Sequence, residues 1–154
     1  QSEQQQVEQV ETCQEQYPSG ALRCRYSGGW GEDGRFLLHG EERWYYETGE
    51  LEAVYHYRHG KPVETHTRYH KNGKKDWEWD YYSDKTARHS TYHTTGTLRS
   101  VAGWRGKMAE GLAQTFGEDG SVQSEVWFAK GEIVKRTDLR RETPSPMGEI
   151  IEAP

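Results

Sequence analysis

No stretch of this chain is apolar for long enough to cross a bilayer as a helix, and only 32% of its residues are hydrophobic. A thick core of leucine, isoleucine and valine is therefore unavailable. Helical periodicity is missing from residues 40 to 136. A basic stripe is missing too, which argues against a nucleic-acid partner. The net charge of −5 comes from the beginning of the chain, where Glu3, Glu8, Glu11 and Glu15 have no balancing Lys or Arg, while the rest is close to neutral. Signatures of catalysis are equally scarce. There is no Gly-x-Ser-x-Gly elbow, no His-Glu-x-x-His, no phosphate-binding glycine loop and no Cys-x-x-Cys. These absences favour a non-enzymatic chain without a cofactor.

What the chain does have is punctuation. Pro18-Ser19-Gly20, Glu47-Thr48-Gly49, Lys71-Asn72-Gly73, Thr94-Thr95-Gly96 and Glu118-Asp119-Gly120 recur, and the last four glycines fall 24, 23 and 24 residues apart. A fixed period of this size marks one supersecondary unit copied and stacked. Each triplet suits a three-residue hairpin loop, a type I turn followed by a left-handed glycine. Second turns follow at Arg58-His59-Gly60, Ser83-Asp84, Arg105-Gly106 and Lys130-Gly131. A further glycine, nine residues before the first of each copy, is kept at Gly40 and Gly111 but replaced by Glu64 and Ala87.

The segments between turns are short, alternate apolar with polar, and are rich in Tyr, Trp, Thr and Val. The expected fold is all-β, an elongated single-layer antiparallel meander of repeated β-hairpins. Carrying the alternation through each turn puts Tyr45, Leu51, Tyr55, Tyr57, Tyr69, Trp77, Trp79, Tyr81, Tyr92, Leu98, Trp104, Phe116, Val122 and Phe128 on one face. It puts Glu50, Glu52, His66, Arg68, Asp76, Glu78, Asp80, His89, Arg99 and Glu125 on the other. This register requires a two-residue loop at Ser83-Asp84. Trp44, Tyr46, Tyr82 and Trp127 fall on the otherwise polar face.

The aromatic-x-x-x-Gly-x-Leu signature, the second turn glycine and the His-Gly-x-x-x-x-Tyr-Tyr-x-x-Gly string beginning at His39 resemble the MORN-repeat variant of bacterial YwqK-type, antitoxin-like proteins. Segments 40–60 and 111–131 match best, and the resemblance spans roughly residues 17 to 136. It implies a twisted single-layer sheet that binds a protein without catalysing a reaction, with lipid binding a property proposed for the wider repeat class.

Three parts follow from this reading. Residues 1–12 form a flexible or capping segment, residues 13–137 the repeat array, and residues 138–154 a tail containing Pro144, Pro146 and Pro154. Met147, Ile150 and Ile151 in that tail offer an apolar cap for the last strand. Cys13 and Cys24 flank the Pro18-Ser19-Gly20 turn. A two-residue loop sets them opposite each other at disulfide reach, and a three-residue loop turns them to opposite faces. Both arrangements remain open. The first residue is Gln1 and not Met, and together with a disulfide this favours an exported chain over a cytoplasmic one.

Among candidate sites, the aromatic cluster Tyr55, Tyr57, Trp77, Trp79, Tyr81 and Trp104 is the preferred partner-binding surface, with Trp44 and Trp127 as secondary candidates on the polar side. His66, Glu78 and His89, placed in one cross-strand row, have the chemistry of a divalent-metal site. The same three residues also suit a solvated ladder of complementary charges. A lipid or glycan ligand is the alternative to a protein partner, and near-neutral repeats disfavour a membrane surface. The expected assembly is a monomer or a weak homo-oligomer.

Overall fold

A computed structural model describes residues 6–141, and all that follows concerns these. Fourteen strands form one open antiparallel sheet. The first half comprises β1 (Glu11–Gln16), β2 (Leu22–Trp30), β3 (Phe36–Leu38), β4 (Gly40–Tyr45), β5 (Leu51–Arg58), β6 (Lys61–Pro62) and β7 (Glu64–Tyr69). The second comprises β8 (Lys75–Tyr81), β9 (Thr86–Tyr92), β10 (Leu98–Arg105), β11 (Met108–Ala109), β12 (Gly111–Phe116), β13 (Val122–Ala129) and β14 (Glu132–Asp138). A 3-10 turn, Leu139–Arg141, closes the described chain. Met147, Ile150 and Ile151, the expected cap, lie outside the described residues. None of the described helices is long and apolar enough to cross a membrane.

The order in space is the order in sequence, so the sheet is a meander as the turns imply. Three pairs of strands are single strands broken by a kink. β3 and β4 both pair with β2, β6 and β7 with β5, and β11 and β12 with β10. The break falls each time just before a left-handed residue, Gly40 (φ 101°), Glu64 (φ 57°) or Gly111 (φ 78°). Glu64 thus takes the glycine's conformation in spite of its side chain. The fourth copy differs: β9 runs unbroken through Ala87, which explains its shorter period.

The glycine triplets close five hairpin loops of one design. In the second, Tyr46 N donates to the Glu50 carbonyl and Gly49 N to the Tyr46 carbonyl, and the same pair of bonds recurs at Tyr17, His70, His93 and Gly117. The Ser83-Asp84 turn belongs to this design as well. Tyr82 N bonds Thr86 O, Lys85 N bonds Tyr82 O, and Lys85 stands where glycine would, at φ 68°. The expected two-residue loop there is replaced by a three-residue one.

One residue past each of the five glycine loops the ladder slips. Tyr45 pairs with Leu51, yet Trp44 pairs with Ala53, leaving Glu52 as an extra residue in a β-bulge. Arg23, Asp76, Arg99 and Gln123 are the extra residues of the other hairpins. Each bulge reverses the inward-outward alternation, and this overturns the face partition expected from uninterrupted alternation.

Burial confirms how thin the fold is. Cys24, Ala53 and Val101 are the buried hydrophobic residues among those described, and Glu42, His66, Thr67 and Ser90 are buried beside them. Strong contacts between strands run between sheet neighbours.

Candidate functional site

Directly paired residues of an antiparallel ladder share a face, so the pairing assigns every candidate a side. Trp44 pairs with Ala53, Ala53 with Arg68, Arg68 with Trp77, and Trp77 with Thr91. On the same face Glu42 pairs with Tyr55, Gly40 with Tyr57, His66 with Trp79, Trp79 with His89, Tyr81 with Ala87, and Ala87 with Trp104. This is the first face. The second face carries an unbroken row from Val54 through Thr67, Glu78, Ser90, Val101 and Gln114 to Glu125.

All six preferred aromatics therefore stand together, and Trp44 joins them. The polar side expected for Trp44 is corrected by the bulge at Glu52. Trp127 pairs with Lys135 on the second face and is 42% exposed, so it is separate from the cluster. Tyr45, Leu51, Tyr69, Tyr92, Leu98, Phe116 and Val122, expected with the cluster, lie on the second face beside the loops.

The histidines move the opposite way. His66 and His89 sit on the first face, either side of Trp79. Glu78 lies on the second, where its carboxylate accepts from Thr67 Oγ1 at 3.0 Å and pairs with Lys75 Nζ at 2.8 Å. The His66–Glu78–His89 row does not form, because the bulge at Asp76 shifts β8 by one residue against β7 and the three-residue loop at 83–85 shifts β9 by one residue against β8. No group of three His, Cys, Asp or Glu side chains suited to a metal occurs among the described residues.

The cluster is held by ring contacts. His66 lies 5.2 Å from Tyr55, 5.1 Å from Tyr57 and 4.9 Å from Tyr81, centroid to centroid. Trp79 stacks on Tyr81 at 6.0 Å and meets His89 at 4.4 Å and Trp104 at 5.9 Å. Tyr55 stacks on Trp77 at 6.2 Å. Such offset and edge-on pairs each add about 0.5–1.5 kcal/mol beyond area burial.

Where the kink parts β7 from β5, two imidazoles bond to backbone carbonyls. His66 Nε2 donates to the His56 carbonyl at 2.6 Å, and His56 Nδ1 donates to the Thr65 carbonyl at 2.8 Å. The His56 carbonyl also accepts from Val63 N at 3.0 Å, so the two imidazoles reinforce the seam reciprocally with bonds added to those of the backbone. A second pair does related work nearby. Val7 N donates to His59 Nδ1, and His59 N donates to His39 Nδ1, each at 3.0 Å.

Glu42 is the unusual member of the face. It is 8% exposed; Trp44 Nε1 donates to its Oε1, while its Oε2 has no hydrogen-bond partner. Desolvation raises its pKa against the opposing pull of the Trp44 bond. Desolvation, reinforced by Glu42, pushes the Tyr57 hydroxyl up to about 12. Burial lowers the pKa of His66 and of His89, which favours neutral imidazoles among the rings.

Cys13 pairs with Tyr26 and Cys24 with Glu15, all on the first face, and both thiols are free. The loop has the three-residue design, yet the bulge at Arg23 restores the shared side. Neither arrangement expected from uninterrupted alternation occurs, and the disulfide is absent.

Sequence reasoning missed a staple between neighbouring hairpins. Tyr17 hydroxyl donates to the Tyr45 carbonyl at 2.7 Å, Tyr46 hydroxyl to the Tyr69 carbonyl at 2.6 Å, and His93 Nε2 to the Phe116 carbonyl at 2.8 Å. All three precede a glycine loop by one position, a column visible in the repeat alignment.

Residues 38–59 match the family described as MORN repeat variant. That span contains the β4–β5 hairpin and its glycine loop, so this unit is similar to a MORN repeat. The other glycine hairpins share its loop and its bulge but lie outside the match. No curated protein matches the chain.

Proposed function

We propose that the chain is a non-enzymatic repeat module that binds a protein through the first face, centred on Tyr55, Tyr57, Trp77, Trp79, Tyr81 and Trp104. The observation that carries this reading is the uncovered ring cluster. No second layer packs over it among the described residues, and its rings cover one another only in part. A continuous aromatic surface of Tyr and Trp is the composition from which interface energy mostly comes. The match of one hairpin to a MORN repeat supports a binding role. The YwqK-type resemblance narrows the proposal to an immunity protein that occludes a toxin.

The test is capture of the natural partner from cells by wild type, by Trp79→Ala/Trp104→Ala and by Trp127→Ala. The expected result is loss of the partner with the double variant and retention with Trp127→Ala. Equal recovery by all three, with native-like circular dichroism, would put the contact elsewhere. Recovery of lipid or glycan in place of protein would replace the partner class.

A further inference from the structure

An open sheet has two outer strands, and here they are built differently. The β14 edge is defended. Val134 is an extra residue in a bulge opposite Trp127 and Phe128, and Lys135 and Arg136 follow it. A bulge and exposed cations are devices that stop an edge from recruiting another strand. The β1 edge has neither. It pairs residue for residue with β2 from Glu11 to Glu15, and the slip that follows inserts its extra residue, Arg23, into β2. It contains no Lys, Arg or Pro, and all of it is exposed except Cys13.

Nothing among the described residues pairs with its outer side. The preceding segment leads away, toward β2 and the turn after β5. Val7 N bonds His59, and a Cβ on Gly29 would overlap the Gln9 carbonyl. Among the described residues the outer row of β1 N–H and C=O groups is therefore open for pairing.

We propose that β1 accepts an extended basic segment of a partner protein as an added strand. The register specifies the segment. Glu11, Cys13 and Glu15 share the first face, through their partners Gly28, Tyr26 and Cys24, while Thr12 and Gln14 face the other way. An added strand meets those three with every second residue. Lys or Arg four positions apart complement the two carboxylates, a small apolar residue midway meets the Cys13 thiol, and polar residues fill the positions between. Backbone bonds carry the affinity and the charges select the register. This edge is distinct from the ring cluster, so either proposal stands or falls without the other.

The probe is acetyl-Thr-Lys-Thr-Val-Thr-Lys-Thr-amide, titrated into the isotope-labelled chain and followed by amide NMR shifts. The expected result is shifts confined to β1 and β2. An isomer with both lysines moved next to the valine should bind more weakly by roughly tenfold. N-methylation of one alternate set of probe amides should abolish binding, and of the other set should not. Glu11→Lys/Glu15→Lys should lose the lysine probe and bind its glutamate counterpart, a swap that a damaged fold would not produce. Equal binding of the two lysine isomers overturns the proposal, as do shifts remote from β1. Self-association that occupies β1 without any probe overturns it too, by making a second copy the occupant.

Discussion

At the scale of single residues, the seam between β5 and β7 depends on His66. Its Nε2–H adds a second bond to the His56 carbonyl, and its ring fills the space among three tyrosines. His66→Ala should therefore destabilise the fold by about 1–3 kcal/mol, through the vacated ring among the tyrosines and the loss of one of the two bonds to the His56 carbonyl, which still accepts from Val63 N. Chemical denaturation followed by tryptophan fluorescence measures it, and a change within 0.5 kcal/mol, the range of about ±0.5 kcal/mol typical of surface sites, would deny the seam its role. The pH profile follows from opposite shifts. Glu42 has a folded pKa above its usual 4.5, so the folded state holds its proton longer, and stability is lost as pH rises from about 4.5 through the folded value. His66 and His89 have folded values below their usual 6.5, so stability is lost as pH falls from about 6.5 through those values. Glu42→Gln should gain over wild type at pH 7 and lose that gain at pH 4, whereas a constant difference at both would contradict a desolvated carboxylate. Of these residues the sequence exposed the types but not the sides. The aromatic positions were legible because rings recur at fixed distances from the glycines, and His66 was misplaced because nothing in its neighbourhood marks the extra residue at Asp76.

At the scale of the element, turn chemistry was the readable part and bulge chemistry was not. A left-handed position announces itself when glycine fills it, as at Gly49 and Gly73 (φ 102° and 83°). Arg23, Glu52, Asp76, Arg99 and Gln123 announce nothing, because polar side chains suit both an exposed strand position and a bulge. The same reasoning applies to two positions that break the glycine pattern. Lys85 and Glu64 hold φ 68° and 57° where other copies use glycine. Left-handed backbone costs a residue with a side chain about 1–2 kcal/mol, partly offset by the unfolded-state freedom that glycine regains. Lys85→Gly and Glu64→Gly should each raise stability by up to about 1 kcal/mol. Gly111→Ala, at φ 78° with nothing near its Cβ, should lower stability by a similar amount through backbone strain alone. Thermal unfolding of the three variants checks the set, and a stabilising Gly111→Ala would refute the strain argument.

At the scale of the whole molecule, each strand depends mainly on its two neighbours, since strong contacts do not skip along the sheet. Stability then approximates a sum of hairpin terms and nearest-neighbour interfaces. The rings concentrate in β5, β8 and β10, while β14 is largely exposed. Local opening should accordingly start at the β14 end and reach the ring cluster last. Phe128 is a selective lever on that end, pairing with Gly111 on one side and Ile133 on the other. Phe128→Ala should accelerate amide hydrogen exchange in β12, β13 and β14 and leave β4, β5 and β7 at wild-type protection. The Trp79→Ala/Trp104→Ala variant should spread further, loosening the middle and, through it, both flanks. Uniform loss of protection after Phe128→Ala would mean that the sheet unfolds as one cooperative unit. In that case partner capture by the ring cluster would also depend on the distant hairpin, and the contact surface could not be assigned from substitutions within the cluster alone.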